Sequence, residues 1–378
     1  MRCKLLVAMG LVALPGCAYL EEGRPPAEPP PGAEVVGTEV DYSLALRTAA
    51  LKLTGNLPTL TEISQVMRAE GDGKRVAYEK LLDGYLAHPR FALQQLAFWR
   101  NTFKIGGSAR LDTAPAFAAL LVVSGRPMTE LVTAQGATCG VVENGSLKAQ
   151  HCNNGVEAVG VLTDPGVLAH FYGPMAFRRT RWVQETFLCA KFPVEIGDRS
   201  ERYPSGIYFS PWEMTSISGK RNNPMALVNF HETDKGELCA NCHTTMNHIA
   251  PLLATFDEMG TFRAPMAGAY PVRTPVPGSP ASRLVDWLPP GEPTAWRYGL
   301  KTPDLKSLGA AIAADPGFAR CLATRLWNWA LSRGDVIIDE ARLTPELASE
   351  LVAELVAGNY DARRLIRRIF LSDAFVRY

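Results

Sequence analysis

From Asp41 onward, apolar residues recur at three- and four-residue spacing, which is the period of an amphipathic helix. Local signals divide this pattern into separate helices: Gly55 ends the first, and Thr59 with Glu62 forms a capping-box pattern that opens the second. Pro89 separates the next two helical stretches. No alternating run is strong enough for a sizeable sheet. The sequence therefore predicts a mainly α, multi-helix fold with long irregular loops and at most a small hairpin.

Two stretches rich in proline and glycine interrupt the helical pattern. The first runs from Ala190 to about Leu238, and the second runs from Ala264 to Leu300, where a short hairpin fits. Long loops of this kind are more often functional than idle. We therefore expect an N-terminal helical module at residues 41–190, a loop-rich segment at 191–300 and a C-terminal helical module at 301–378.

The first residues read MRCKLLVAMGLVALPGC, a short basic start followed by an apolar run that ends in small residues. This is the layout of a secretory signal peptide, here residues 1–16. Its end resembles a bacterial lipobox, in which Cys17 becomes the lipidated first residue. The proline-rich residues 17–40 then suit a tether. We expect an outer-membrane lipoprotein that faces the periplasm or the exterior; the alternative is a soluble periplasmic or secreted protein.

Removal of the signal would leave 37 basic and 38 acidic residues. A charge this close to neutral gives no electrostatic reason to expect nucleic acid as a partner. With 47% hydrophobic and 20% charged residues, the composition is that of a globular protein. Contact with a membrane is expected through the lipid anchor only.

Six cysteines follow Cys17, and in an oxidising compartment each of them should have a partner or a ligand. Cys139 and Cys152 bracket a polar stretch with an Asn-Gly turn signal, so we predict a disulfide between them. Cys189 and Cys321 either pair across the fold or remain two buried thiols.

The other two cysteines belong to CANCH, which runs from Cys239 to His243. In the pattern C-x-x-C-H, the two thiols can add to the vinyl groups of one haem c while the histidine coordinates the iron. Two other interpretations stay open. A redox-active pair of Cys239 and Cys242 would require a βαβ neighbourhood, which the sequence does not offer. A zinc site would require two more ligands, for which His231 and His248 are near enough.

The longer stretch CANCHTTMNHIAPLLATFDEMGTFR resembles the signature of cytochrome c-like domain families first catalogued in planctomycete proteins. The residues that match this pattern are Met246, Phe256, Asp257, Gly260 and Arg263. The residues that depart from it are Asn247, His248 and Pro251. Segments before and after the motif also resemble modules of these families, so the resemblance covers most of the chain from Asp41 onward. It implies a covalent haem c and a helical architecture, and it says little about a substrate.

The sixth ligand of such an iron decides whether the haem passes electrons or binds a small molecule. We rank the candidates for this distal position in the order His231, Met266, Met259 and His248. Arg263 is a candidate for bidentate contact with a haem propionate. Alternatively, Arg263 forms a local salt bridge with Asp257 that shapes the turn at Gly260.

Three functions fit this sequence. The first is an exported mono-haem c-type cytochrome-like lipoprotein that exchanges electrons with a redox partner protein. The second is a haem enzyme of peroxidase-like or oxygenase-like type, in which the stretch from Ala190 to Leu238 forms a cleft for an unidentified small molecule over an open iron. The third is a surface interaction protein with a structural or sensory haem. The sequence leaves open whether the chain is an enzyme and assigns no catalytic residue.

Overall fold

A computed structural model gives the structure of the protein and describes residues 39–173, 176–189, 246, 248–263, 271–272, 282–283, 293–296, 300–334 and 343–377. The predicted signal and tether with Cys17, the CANCH motif, His231 and Met266 lie outside these residues. Helices dominate the described chain, which confirms the predicted fold class.

The helices fall before and after the loop-rich segment. The first group is α1 (Tyr42–Thr54), α2 (Leu60–Arg68), α3 (Gly73–Ala87), α4 (Pro89–Phe103), α5 (Thr113–Val123), α6 (Glu130–Thr133), α7 (Pro165–His170) and α8 (Phe177–Phe187). The second group is α9 (Leu305–Ala314), α10 (Pro316–Ala330), α11 (Pro345–Ala357), α12 (Ala362–Phe370) and α13 (Asp373–Val376). Across the part of the chain that is described, no helix has both the length and the apolar composition that crossing a bilayer requires.

The helix ends lie at the local signals in the sequence. Asp41 caps α1 by accepting a hydrogen bond from the backbone N–H of Ser43 at 2.8 Å, and Gly55 ends that helix in the left-handed region with φ 72°. At the start of α2, the hydroxyl of Thr59 accepts from the N–H of Glu62, while the Glu62 carboxylate accepts from the N–H of Thr59 at 2.7 Å. This reciprocal pair is the capping box that the sequence predicts.

The largest sheet is a hairpin of two antiparallel strands, β1 (Ala137–Glu143) and β2 (Ser146–His151). Its two turn residues, Asn144 and Gly145, both have positive φ, at 51° and 76°. That conformation matches the right-handed twist of the flanking strands, and asparagine and glycine adopt it most readily. Two shorter antiparallel pairs are β3 (Pro271–Val272) with β4 (Ser282–Arg283), and β5 (Ala295–Trp296) with β6 (Leu300–Lys301). The described residues thus contain three small sheets, where the sequence predicted at most one hairpin.

Two disulfides tie these elements together. The predicted bond between Cys139 and Cys152 is present and joins β1 to the residue after β2, with 5.1 Å between the Cα atoms. Cys189 and Cys321, for which the sequence left two alternatives, are also paired, with 5.3 Å between their Cα atoms. This second disulfide joins the end of α8 to α10. Disulfides persist in oxidising compartments, so the pair of bonds indicates a protein that functions outside the cytoplasm.

The two groups of helices share one hydrophobic core. The hydroxyl of Tyr78 on α3 donates a hydrogen bond to the carbonyl oxygen of Phe370 on α12 at 2.8 Å. The N–H of Asp41 donates to the carbonyl oxygen of Val376 on α13 at 2.9 Å. The described parts of the predicted modules at 41–190 and 301–378 are therefore packed directly against each other.

Candidate functional site

The structure describes the chain on both sides of the CANCH motif. On the N-terminal side, the described chain reaches the disulfide-bonded Cys189; on the C-terminal side, it resumes at Met246 and continues over residues 248–263. We call residues 248–263 the post-motif segment. It contains most of the residues that carry the family resemblance, so its contacts define the described part of the candidate site.

The post-motif segment begins inside the core. Residues 248–253 are helical, and His248, Ile249, Ala250 and Leu253 are at most 1% exposed. His248, which the sequence analysis named as a candidate ligand of either zinc or haem iron, is thus a buried residue. Five positions after His243, the chain is anchored among apolar side chains.

Arg179 on α8 joins the post-motif segment to the helices. Its side chain is 2% exposed, and its guanidinium donates hydrogen bonds of 2.7–2.8 Å to the carbonyl oxygens of Leu168, Leu253, Phe256 and Asp257. Burial lowers the pKa of Arg179 to about 10, so the side chain stays protonated at neutral pH. A charged donor that satisfies four carbonyl groups fixes the backbone that follows the motif.

Asp257 shapes the turn that ends the post-motif segment. Its Oδ1 accepts hydrogen bonds from the N–H groups of Met259 and Thr261, both at 2.9 Å, and its Oδ2 accepts from Nε of Arg263 at 2.9 Å. Burial alone would raise the pKa of Asp257, but these hydrogen bonds and the positive charge of Arg263 hold it below its ordinary value. The Asp257 carboxylate therefore stays ionised and keeps the turn closed.

Gly260 lies where this turn meets α7. Its φ is +70°, and a Cβ at this position would lie 2.3 Å from the carbonyl oxygen of Pro165. On the other side, the amide of Asn154 donates to the carbonyl oxygens of Thr163 at 2.6 Å and Gly260 at 3.3 Å. The N–H of Phe262 donates to the carbonyl oxygen of Asn154 at 2.8 Å. Glycine is required here by both backbone conformation and close approach.

Asp164 is a buried acid next to the first disulfide. It caps α7 by accepting from the N–H of Val167 at 2.9 Å, and its Oδ2 lies 3.6 Å from Sγ of Cys139. Burial raises the pKa of Asp164 to about 6, because desolvation of the carboxylate outweighs its hydrogen bonds. The ligand atoms of Asp164, Cys139 and Cys152 lie within 4.8 Å of one another. Because the two sulfurs are bonded to each other, they supply no thiolate for a metal ion.

The C-terminal end of α8 is held by a second buried arginine. Arg325 on α10 is 4% exposed and donates hydrogen bonds to the carbonyl oxygens of Glu185, at 2.7 Å, and Thr186. The Cys189–Cys321 disulfide follows directly. Helix α8 is therefore fixed at both ends: Arg179 holds it to the chain after the motif, and the disulfide holds it at the point where the chain continues toward the motif.

Two of the predicted site residues lie in the turn, and they have defined contacts. Arg263 forms the local salt bridge with Asp257 at 2.8 Å, and its side chain is 65% exposed. Met259 is 53% exposed. The Met259 carbonyl oxygen accepts from Nη2 of Arg110 at 2.7 Å, and its sulfur lies 3.9 Å from Nη1 of the same residue. The structure brings these two residues together with Gly260, while the motif and the distal candidates His231 and Met266 lie outside the described residues.

Sequence reasoning missed the arginines that hold this framework and the buried Asp164. A helical signal for Arg179 was available, because Trp182, Val183 and Thr186 follow it at spacings of three, four and seven, and all are buried on the same face as Arg179. For Asp164, the cap signal was the order Asp-Pro before an apolar run. No local signal indicates that Arg325 would contact the end of α8.

Residues 159–265 of the chain match a protein-family model described as "PSCyt3: Protein of unknown function (DUF1588)". Over these residues the chain is similar to that family. Its match includes the CANCH motif, the buried Arg179 and the whole post-motif segment, and it ends just beyond Arg263. It confirms, over this part of the chain, the resemblance to planctomycete cytochrome-like proteins that the sequence indicates. No curated protein matches the chain, and no solved structure matches it.

Proposed function

We propose that this protein is an exported mono-haem c-type cytochrome-like lipoprotein that transfers electrons. In this proposal, Cys239 and Cys242 hold one haem c through thioether bonds and His243 is its axial ligand. The haem, when bound, supplies an iron that changes its charge by one electron. The protein's own residues bind it, orient it and set its surroundings.

The pairing of the other cysteines carries this proposal. Of the six cysteines after Cys17, four are joined in the Cys139–Cys152 and Cys189–Cys321 disulfides. The two that remain are the cysteines of the C-x-x-C-H motif, and they lie within the PSCyt3 match. This donor set fits a haem c, which needs two thiols that no structural disulfide consumes and an adjacent histidine.

The same order of residues favours haem over the other two interpretations. A redox-active C-x-x-C pair has no need of the adjacent His243. A zinc site needs two ligands beyond the motif, and it needs reduced thiolates in a compartment where the other described cysteines are oxidised.

The framework around the motif supports an electron carrier. Arg179 and the Asp257 turn hold residues 248–263 after the motif, and the Cys189–Cys321 disulfide fixes the end of α8. Ligands on a rigid framework keep their geometry when the charge on the metal changes. Arg263 remains the proposed propionate contact, because its guanidinium is largely exposed while Asp257 orients it. For the distal ligand we propose His231 first, then Met266 and Met259.

The proposal includes a redox partner protein and attachment to the outer membrane through Cys17. A Cys17→Ser variant is expected to move from the membrane fraction to the soluble fraction while it keeps the same haem spectrum. Retention of this variant in the membrane fraction would rule out lipidation at Cys17 and leave the haem proposal unaffected.

Optical and electron paramagnetic resonance spectra of the exported protein test the electron-transfer role. We expect low-spin iron with two protein ligands in both oxidation states, reversible one-electron reduction and no turnover of peroxide. High-spin iron that binds cyanide readily, together with peroxide turnover, would instead support the haem enzyme. A matched His231→Ala variant identifies the distal ligand, because loss of that ligand converts low-spin iron to high-spin iron.

A further inference from the structure

A cavity of about 430 Å³ lies between α1, α4 and α10, away from the post-motif segment. Its walls include Lys52 and Leu51 from α1, Asn101 and Phe98 from α4, and Trp329 from α10. Pockets of 300–1,000 Å³ are the usual size for a small-molecule ligand. The contacts described above for the candidate site give this cavity no role.

Four cationic side chains line the cavity: Lys52, Lys104, Arg325 and Arg333. They come from three places in the sequence, namely α1, the end of α4, and α10 with the residues directly after it, which the fold gathers around one space. Among the described residues that line it, none is an aspartate or a glutamate. Arg325 is engaged with carbonyl oxygens at the end of α8, but it still contributes its positive charge. Positive groups gathered around a recess concentrate anions there.

The partial burial of Lys52 also favours an anion in this cavity. Lys52 is partly buried, and burial lowers the pKa of its ammonium group because the charged form loses contact with water. An anion beside this ammonium would compensate the lost solvation, so the cavity is better suited to an anionic ligand than to water alone.

One wall of the cavity is aromatic. The rings of Phe98 and Trp329 lie 5.6 Å apart between centroids, with an angle of 54° between their planes. The amide side chains of Gln94 and Asn101 add neutral hydrogen-bonding groups to the rim. Aromatic faces beside a few convergent polar groups are typical of sites for ligands with a planar apolar body.

We propose that this cavity binds a small organic anion of the aromatic carboxylate class, with the carboxylate between Lys52 and Arg333 and the ring against Trp329. This is a binding function separate from electron transfer, and it does not depend on whether the CANCH motif holds haem.

Isothermal titration calorimetry on the exported full-length protein tests this site with three probes. Phthalate carries both the ring and the charge, benzamide carries the ring alone, and inorganic phosphate carries the charge alone. We expect saturable binding of phthalate to one site per chain, at least tenfold tighter than that of either other probe. The affinity should fall as salt is raised, because the attraction is between charges at least partly exposed to solvent.

Substitutions distinguish binding in this cavity from nonspecific electrostatic attraction to the protein surface. A Lys52→Met, Arg333→Gln double variant should lose at least tenfold in phthalate affinity, whereas Lys80→Met, which removes an exposed lysine on α3, should bind like the native protein. The single Lys52→Gln variant repeats the test with a smaller change if the double variant fails to fold. Absence of saturable phthalate binding, equal binding by the Lys52 variants, or equal affinity for phosphate and phthalate would each overturn the proposal.

Discussion

Arg179 carries the contact between α8 and the chain that follows the motif. Its four hydrogen bonds reach from Leu168 to Asp257, and all end on carbonyl oxygens. Carbonyl groups buried without a donor destabilise a protein strongly, so the loss of one side chain leaves several groups unsatisfied at once.

An Arg179→Met variant is expected to lose about 3–5 kcal/mol of unfolding free energy. The substitution removes a buried charged donor, and methionine supplies no hydrogen bond to the carbonyl oxygens that are left. Urea unfolding measures this loss, and hydrogen exchange should show faster exchange at residues 253–263. The neighbouring Arg178, which is exposed on the same helix, provides the matched control: Arg178→Met should change stability little. Equal effects in the two variants would show that the carbonyl contacts do not hold the segment.

The raised pKa of Asp164 predicts that the free energy of unfolding depends on pH. Its folded-state pKa of about 6 is above the ordinary value of 3.8, so between these pH values the folded state binds more protons than the unfolded state. Rising pH therefore lowers the free energy of unfolding from about pH 4 to about pH 6, by roughly 3 kcal/mol, and has no further effect through this group above that range.

The Asp164→Asn variant tests this dependence, since its amide oxygen can still cap α7 while the side chain no longer ionises. Urea unfolding at several pH values between 4 and 8 should show that the difference in stability between Asp164→Asn and the native protein grows up to about pH 6 and then levels off. A difference that stays constant over this range would contradict the assignment of a raised pKa to Asp164.

At the scale of elements, the helices could be predicted because their signals are local. The α1 stop at Gly55, the capping box of α2 and the start of α4 at Pro89 each depend on a few neighbouring residues. The strands of the hairpin were harder to predict. Only the Asn144-Gly145 turn was evident, because SLKAQH lacks the β-branched and aromatic residues that are typical of strands.

The contacts of the candidate site could not be predicted in the same way. The motif and the turn residues Asp257 and Gly260 were identified by resemblance, but the partner of this turn lies far away in sequence: Arg179 reaches a carbonyl group 78 residues further along. Periodicity shows that a side chain is buried, and it does not show what the side chain contacts.

A substitution at Gly260 tests the contact between the turn and α7, and the same substitution at Gly145 is the control. Gly260→Ala combines a positive φ with a Cβ placed 2.3 Å from the Pro165 carbonyl oxygen, whereas Gly145→Ala has a positive φ and no atom within 4 Å of the new Cβ. We expect Gly145→Ala to cost about 1 kcal/mol of unfolding free energy from backbone strain alone. Gly260→Ala should cost at least about 3 kcal/mol, because the clash adds to that strain. Thermal and urea unfolding compare the two, and equal costs would show that the turn does not press against α7.

At the scale of the whole molecule, the disulfides differ in how much chain they constrain. Cys139 and Cys152 are 13 residues apart, whereas Cys189 and Cys321 are 132 residues apart. The sequence predicted the first pair from the short polar stretch between the cysteines. It left the second pair open, because a separation of that length carries no information about distance in the fold.

Removal of the disulfide that closes the longer loop should destabilise the protein more, because the entropy of loop closure grows with the logarithm of loop length. A Cys189→Ala, Cys321→Ala variant is expected to lose about 5 kcal/mol of unfolding free energy, and a Cys139→Ala, Cys152→Ala variant about 3 kcal/mol, because a longer loop restricts the unfolded chain more. Urea unfolding of the two double variants provides the comparison. A larger loss for the shorter loop would mean that native contacts around Asp164, and not chain entropy, dominate.

The most direct test of the haem proposal is a pyridine haemochrome measurement on the exported protein after denaturation and extraction with acidified acetone. We predict one haem per chain that stays attached to the polypeptide and that is lost in a Cys239→Ala, Cys242→Ala variant, while Cys139→Ala, Cys152→Ala keeps it. A protein exported with haem maturation in place that carries no covalent haem, but holds zinc or a Cys239–Cys242 disulfide, would contradict the proposal.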